Sequence, residues 1–183
     1  MSCVDLESNQ HRHGEYATRS LNLKVPSLQV ADHWISESGA IIEFLEEFFP
    51  APNYPTTSPV DPIQRALDRS LMQYLRTDFF QLRQSLPFEN LMLRKPFPKM
   101  VSAETESEAN RLLAIALKRI EQSKSGSLAD FELSFYLQRI IHAANVIPGI
   151  DVRVAEYANF HWNDEIVKSW RDLDRTNYLG ESL

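Results

Sequence analysis

Apolar residues fall in two short extended runs near the start of the chain and at helical spacing almost everywhere after them. Val25 to Val30 and His33 to Ile35 are separated by Ala31-Asp32, a pair that can turn the chain, and together they predict a β-hairpin. Pro26 pushes Val25 into extended geometry. With a cis Val25-Pro26 bond the Val25 amide would face outward, where an extended peptide can add as one more strand. Ile41, Ile42, Leu45, Phe48 and Phe49 then share one helical face, which predicts a helix opening at Ser38.

Pro50, Pro52, Pro55 and Pro59 mark 50–59 as a linker. Beyond it, Ile63, Leu67, Leu71, Tyr74, Leu75, Phe79 and Leu82 keep helical spacing and predict one long helix over 61–85 with this row as its core face. The opposite face, with Gln64, Arg65, Asp68, Arg69 and Arg76, is left for solvent or a second subunit. A helix from Ser102 carries Ala109, Leu112, Leu113, Ala116, Leu117 and Ile120 inward, with Glu104 and Glu106 in its first turns, where the helix dipole favours acids. SLAD, Ser127 to Asp130, is a capping box opening the most apolar helix of the chain. Two short aromatic-rich helices over 152–160 and 163–173 follow the Pro148-Gly149 turn, and the last residues are expected to be a frayed tail.

Composition narrows the function classes. A length of 183 residues suits one compact unit or two small domains. A formal charge of −6 argues against a nucleic-acid backbone or an anionic membrane as the main partner. Cys3 is the only cysteine, so no intrachain disulfide forms. With no signal-like start and no apolar run long enough to cross a bilayer, a cytoplasmic protein is expected.

The chemistry-bearing positions are few. Ser38 at a helix N-terminus attracts a carboxylate, and the Glu37 carboxylate beside it attracts an ammonium, which suits the two charges of an amino-acid head group. The alternative is that Ser38 is an N-cap and Glu37 an acid favoured by the dipole. His11 and His13 have the alternate spacing of a metal pair but no third ligand nearby except acids, so a solvated loop and no metal are expected. The basic stretch 91–100 reads as an interhelix loop, with Phe88 or Phe97 available to line an apolar pocket. His142 reads as a satisfied core histidine, and Asp130 as a folding element rather than a catalyst.

A Val-Pro, a hairpin and a Glu-Ser opening a helix, in that order and spacing, resemble the glutathione-binding half of the thioredoxin-like domain in cytosolic glutathione transferases. The SLAD box resembles the one at the start of that family's central buried helix. The resemblance runs from Val4 to about Asp172. It implies an α/β plus all-α protein, with an incomplete thioredoxin-like domain over 1–49, the linker over 50–59 and an all-helical domain over 60–183. It further implies glutathione as co-substrate, bound by Lys24, Val25, Pro26, Glu37 and Ser38, a small apolar electrophile or peroxide as the second substrate, a detoxification role, and a homodimer.

Two departures qualify this. The family places a first strand and helix, carrying the Tyr, Ser or Cys that activates the thiol, ahead of the segment that starts here, so a catalytic residue is unassigned and little thiol transfer is expected from this chain. Cys3 lies by position in the second strand and reads as an incidental thiol. A start site placed too far downstream, a degenerate gene and a partner chain that fills the gap are the competing explanations. The connection from Glu121 to Ser127 is also shorter than the family's. The alternative function is a truncated, non-catalytic homologue that binds partners or glutathione through Val25, Glu37 and Ser38.

Overall fold

A computed structural model describes residues 4–6, 8–92, 95–122 and 126–172. The chain divides between Thr56 and Thr57 into two compact units. Cys3, the end of the chain from residue 173 and the middle of the 121–127 connection lie outside the described residues.

In the first unit, residues 4–6 join no strand, although the resemblance puts this segment in a second strand. The Asp5 N–H donates to Gln10 Oε1 at 2.8 Å and the Gln10 N–H to the Asp5 carbonyl at 2.9 Å, so these groups close a turn instead of a ladder. A 3-10 turn, Gln10–Arg12, leads to α1, Gly14–Arg19. The hairpin then forms from β1, Ser27–Val30, and β2, His33–Ser36, antiparallel with Ser27 opposite Ser36 and Leu28 opposite Ile35. The Val25-Pro26 bond is cis. Helix α2, Ser38–Phe48, follows at once. Its expected apolar face is formed but little covered: Leu45 is 39% and Phe48 61% exposed. Among the described residues of this unit only Ser20 and Ser36 are buried.

The second unit is entirely helical among the described residues: α3 Pro62–Asp78, α4 Phe80–Ser85, α5 Phe88–Met92, α6 Ala103–Glu121, α7 Leu128–His142, α8 Val152–Trp162 and α9 Glu165–Arg171. Asp61 caps α3, its carboxylate accepting from the Ile63 and Gln64 N–H groups at 2.7 and 2.9 Å, with Pro62 in the first turn where no N–H is needed. The single helix expected over 61–85 is broken at Phe79, whose φ of −93° and ψ of 53° are not helical. Phe79 is fully buried, packed edge-on to Tyr74 and Tyr136, and the N–H of Leu82 after the break donates to the Glu108 carboxylate on α6 at 2.8 Å. Core packing and an acid from a neighbouring helix thus satisfy the interrupted ladder.

The inward face of α3 is also rotated from the expected one. Ile63 and Leu67 are 68% and 53% exposed, whereas Asp68, Met72 and Leu75 are buried. The cause is a charge partner on another helix. Arg119 of α6 donates to Asp68 Oδ1 at 2.8 Å and to Asp130 Oδ1 at 2.7 Å. Tyr157 of α8 donates to the same Asp130 oxygen at 2.6 Å, and the Ser127 N–H closes the capping box onto Asp130 Oδ2 at 2.9 Å. Asp130 is fully buried. Around this cluster the apolar core runs through Leu75, Phe79 and Leu82, Leu112 and Ala116, Leu133, Leu137 and Ile140, and Val154 and Ala158.

Removing one partner of a buried ion cluster leaves charge without compensation and costs about 3–5 kcal/mol. Arg119→Ala is therefore expected to lower the urea midpoint by that equivalent, while Lys118→Ala on the exposed face changes stability by less than about 0.5 kcal/mol. Tryptophan fluorescence through the unfolding transition checks both.

Candidate functional site

The register of the hairpin places the predicted residues together. Because Ser27 stands opposite Ser36, the chain enters β1 through Val25-Pro26 and leaves β2 through Glu37-Ser38 at the same end of the ladder. Lys24, Val25, Pro26 and Glu37 are exposed, and Ser38 is half-buried. The Val25 amide has no hydrogen-bond partner among the described residues.

Polar contacts hold this end in shape. The Tyr16 hydroxyl donates to the Lys24 carbonyl at 2.5 Å and lies 3.0 Å from Ser27 Oγ. The Leu21 N–H donates to Ser36 Oγ at 3.0 Å. Asn22 takes both ends of its amide into the site: its oxygen accepts from the Lys24 N–H at 3.0 Å and its NH₂ donates to Glu37 Oε1 at 2.5 Å. Glu37 itself has φ 71°, a left-handed backbone that only a constrained non-glycine residue keeps. Sequence reasoning missed Asn22 and Tyr16; their signal was a Ser-Leu-Asn loop and a lone tyrosine, which have no period to read.

Helix α2 opens at Ser38 as expected, but the alternative reading of Ser38 as its N-cap does not hold. The N-cap position is Glu37, not Ser38, and no side chain caps the first turn. By contrast α3, α6, α7 and α8 receive side-chain caps from Asp61, Ser102, Ser127 and Asp151. The N–H groups of α2 thus remain available at its positive end, with the Glu37 carboxylate beside them.

Neither a family model nor a curated protein matches the sequence. Among solved structures, a glutathione transferase homologue from Burkholderia with bound glutathione matches at TM-score 0.69 and 27% identity, over 91% of this chain and 78% of that one. A glutathione transferase from Populus trichocarpa matches at 0.65 and 18%, over 91% and 82%. An epsilon-class enzyme from the housefly Musca domestica matches at 0.59 and 16%, over 96% and 77%. The chain has the glutathione transferase fold. In this glutathione transferase fold the described hairpin, α1 and α2 are part of the α/β layer, and α3 to α9 are the all-α part.

The other chemistry-bearing groups of this glutathione transferase fold serve structure. Burial alone would raise the Asp130 carboxyl, but hydrogen bonds from Arg119, Tyr157 and the Ser127 N–H outweigh it and hold it below the usual carboxylate range. Burial and the Asp130 charge push the Tyr157 phenol up. A carboxylate fixed in its ionised form by three donors is a poor proton shuttle, which agrees with a structural role. His142, expected as a core histidine, is instead exposed, and its Nδ1 lies 2.9 Å from the Gln138 carbonyl of the preceding turn. Phe88 packs with Phe135, Trp162 and Trp170, and Phe97 packs on the core. No group of three or more metal-ligating side chains occurs among the described residues, and no described helix is long and apolar enough to cross a membrane.

His161, which the sequence reading did not single out, is 1% exposed, ringed by Phe131, Tyr157 and Phe160, and its Nε2 has no partner. Burial pushes its pKa down; the Asp130 and Asp164 charges oppose that and Arg119 adds to it. A group depressed in the folded state gives its full stability above the unfolded pKa, near 6.5 for histidine, and loses it as pH falls below that. Stability is therefore expected to decline as pH falls from 7.5 to 5.5. His161→Phe is expected to flatten that decline, and urea midpoints of both proteins across this range check it.

Proposed function

We propose that this chain binds glutathione at the Val25–Glu37–Ser38 end of the hairpin and serves its transfer to, or peroxide reduction of, a small apolar electrophile. The reading extends to a detoxification role for a cytoplasmic homodimer. The observation that carries it is the start of α2: uncapped N–H groups beside a Glu37 carboxylate that Asn22 holds in place. A γ-glutamyl end offers one carboxylate for the helix terminus and one ammonium for Glu37. The exposed Val25 backbone offers strand-like hydrogen bonds to the cysteinyl part, and Lys24 a cation for the glycyl carboxylate. The Burkholderia homologue with bound glutathione supports the ligand, at 27% identity.

A second reading, binding without chemistry, is favoured by two hydroxyls at this end of the hairpin. Those of Tyr16 and Ser27 contact each other, and that of Tyr16 also donates to the Lys24 carbonyl, so both are engaged within the protein.

Calorimetric titration with reduced glutathione tests the shared claim. Hydrogen bonds to charged groups contribute about 1.5–3 kcal/mol each, so the Glu37→Ala/Ser38→Ala double variant is expected to bind at least about tenfold more weakly. Asn22→Ala, which frees Glu37 without removing it, should fall between that variant and the wild type. Unchanged affinity in the double variant would sink the assignment. Conjugation of glutathione to a chlorinated nitrobenzene by the binding-competent protein then separates the two readings.

A further inference from the structure

Helices α3 and α4 run beside α7 in the same direction. Arg76 pairs with Glu132, its Nε and Nη2 donating to the two carboxylate oxygens at 2.7 and 2.8 Å. Further along, Phe79 packs on Tyr136, and Arg139 Nη1 donates to the Leu86 carbonyl at 2.8 Å. Seven residues beyond the ion pair on each segment stand Arg83 and Arg139. The second repeat of this helix contact therefore holds two cations where the first holds a cation and an acid.

No carboxylate answers these two guanidiniums among the described residues. Arg83 Nη1 donates to the Arg76 carbonyl, while its Nε and Nη2 and the Nη2 of Arg139 make no hydrogen bond there. Arg139 Nε is buried with no partner. Acids on the flanking helices are engaged elsewhere: Glu132 with Arg76, Glu89 with Lys95 at 2.6 Å, and Glu108 with the Leu82 N–H. Burial, with Tyr136 opposing and the Arg83 charge adding to it, pushes Arg139 down to about 10, so it stays charged at neutral pH. A half-buried like-charge pair without a counterion is unfavourable, and an orphaned buried donor calls for an explanation.

We propose that Arg83 and Arg139 form a binding site for a small oxyanion, the phosphate or carboxylate group of a small molecule. The Arg139 guanidinium lies 5.4 Å from the ring centre of Phe88 and 5.2 Å from that of Tyr136, so its faces are covered and its edge is left to a ligand. Edge-on guanidinium forks hold paired oxygens, which is how carboxylates and phosphates are recognised. Both side chains are half-buried, within reach of solvent but partly shielded from its screening. Two cations favour a dianion, so phosphate is expected to bind more tightly than acetate. The site lies wholly within the helical unit and does not depend on the glutathione reading.

Calorimetric titration of the 183-residue protein with inorganic phosphate, and separately with acetate, at constant ionic strength in chloride tests it. Arg83→Gln is expected to weaken phosphate binding about tenfold or more. Arg83→Lys, which keeps the charge and loses the fork, should fall between that variant and the wild type. Lys118→Gln, which removes an exposed cation from α6, is expected to bind as the wild type does. Because Arg139 also packs on two rings, its role is read on the wild-type protein: phosphate is expected to shift two arginine Nε–Hε resonances, those absent from the spectra of Arg83→Lys and Arg139→Lys. Whichever of phosphate and acetate binds more tightly names the group the ligand carries. Binding of neither above chloride, affinity unchanged in Arg83→Gln, or an equal loss in Lys118→Gln overturns the proposal.

Discussion

The helical unit depends on one buried cation. Arg119 joins Asp68 of α3 to Asp130 of α7, and Tyr157 of α8 donates to Asp130 from the other side. Three formal charges leave water together, and their desolvation is large enough that good geometry alone decides whether the cluster is tolerated. Here Asp130 is nearly saturated with donors, whereas Asp68 Oδ2 has no partner. The Arg119 contacts fix α3 and α7 against α6 and the Tyr157 contact fixes α8 against α7, so the positions of α3, α7 and α8 cannot vary independently. A second guanidinium shows the alternative solution: Arg139, pushed down to about 10 by burial and by Arg83, has no carboxylate and instead donates to the Leu86 carbonyl at 2.8 Å over the rings of Phe88 and Tyr136.

The first unit is held in another way. Its described residues include no buried apolar side chain, and its order comes from a two-stranded ladder and a set of hydroxyl, amide and carboxylate contacts around Asn22, Tyr16 and Ser36. A lone hairpin is marginal in water, and exposed hydrogen bonds contribute modestly. The candidate site thus sits on the least cemented part of the chain, as ligand-binding segments commonly do.

What was legible in the sequence follows from range. The capping box could be read because Ser127 and Asp130 are one helical turn apart, and the hairpin because alternation and a turn pair are local signals. The inward face of α3 could not, because the residue that draws Asp68 inside, Arg119, is on another helix, and because Ile63 and Leu67 look like core on spacing alone. The break at Phe79 was hidden for the same reason: its compensation, Glu108, comes from α6. In the candidate site, Glu37 and Ser38 were visible as a pair, but the feature that makes Glu37 a positioned group is its bond to Asn22, fifteen residues away.

These two modes of stabilisation bear on how a ligand would act. A ligand that binds only the ordered form of a segment stabilises it in proportion to its concentration over its Kd. In the helical unit such a contribution would be small beside a buried ion cluster and a continuous core. In the first unit, with no core of its own among the described residues, it would be comparable to what holds the hairpin end together. A partner that donates to the Glu37 carboxylate and accepts from the free N–H groups of α2 would satisfy both sets of groups at once, so affinity and order would be linked there. The weakness of this end and its proposed role in binding would have a common cause, which is that its polar groups are arranged but not fully satisfied from within the chain.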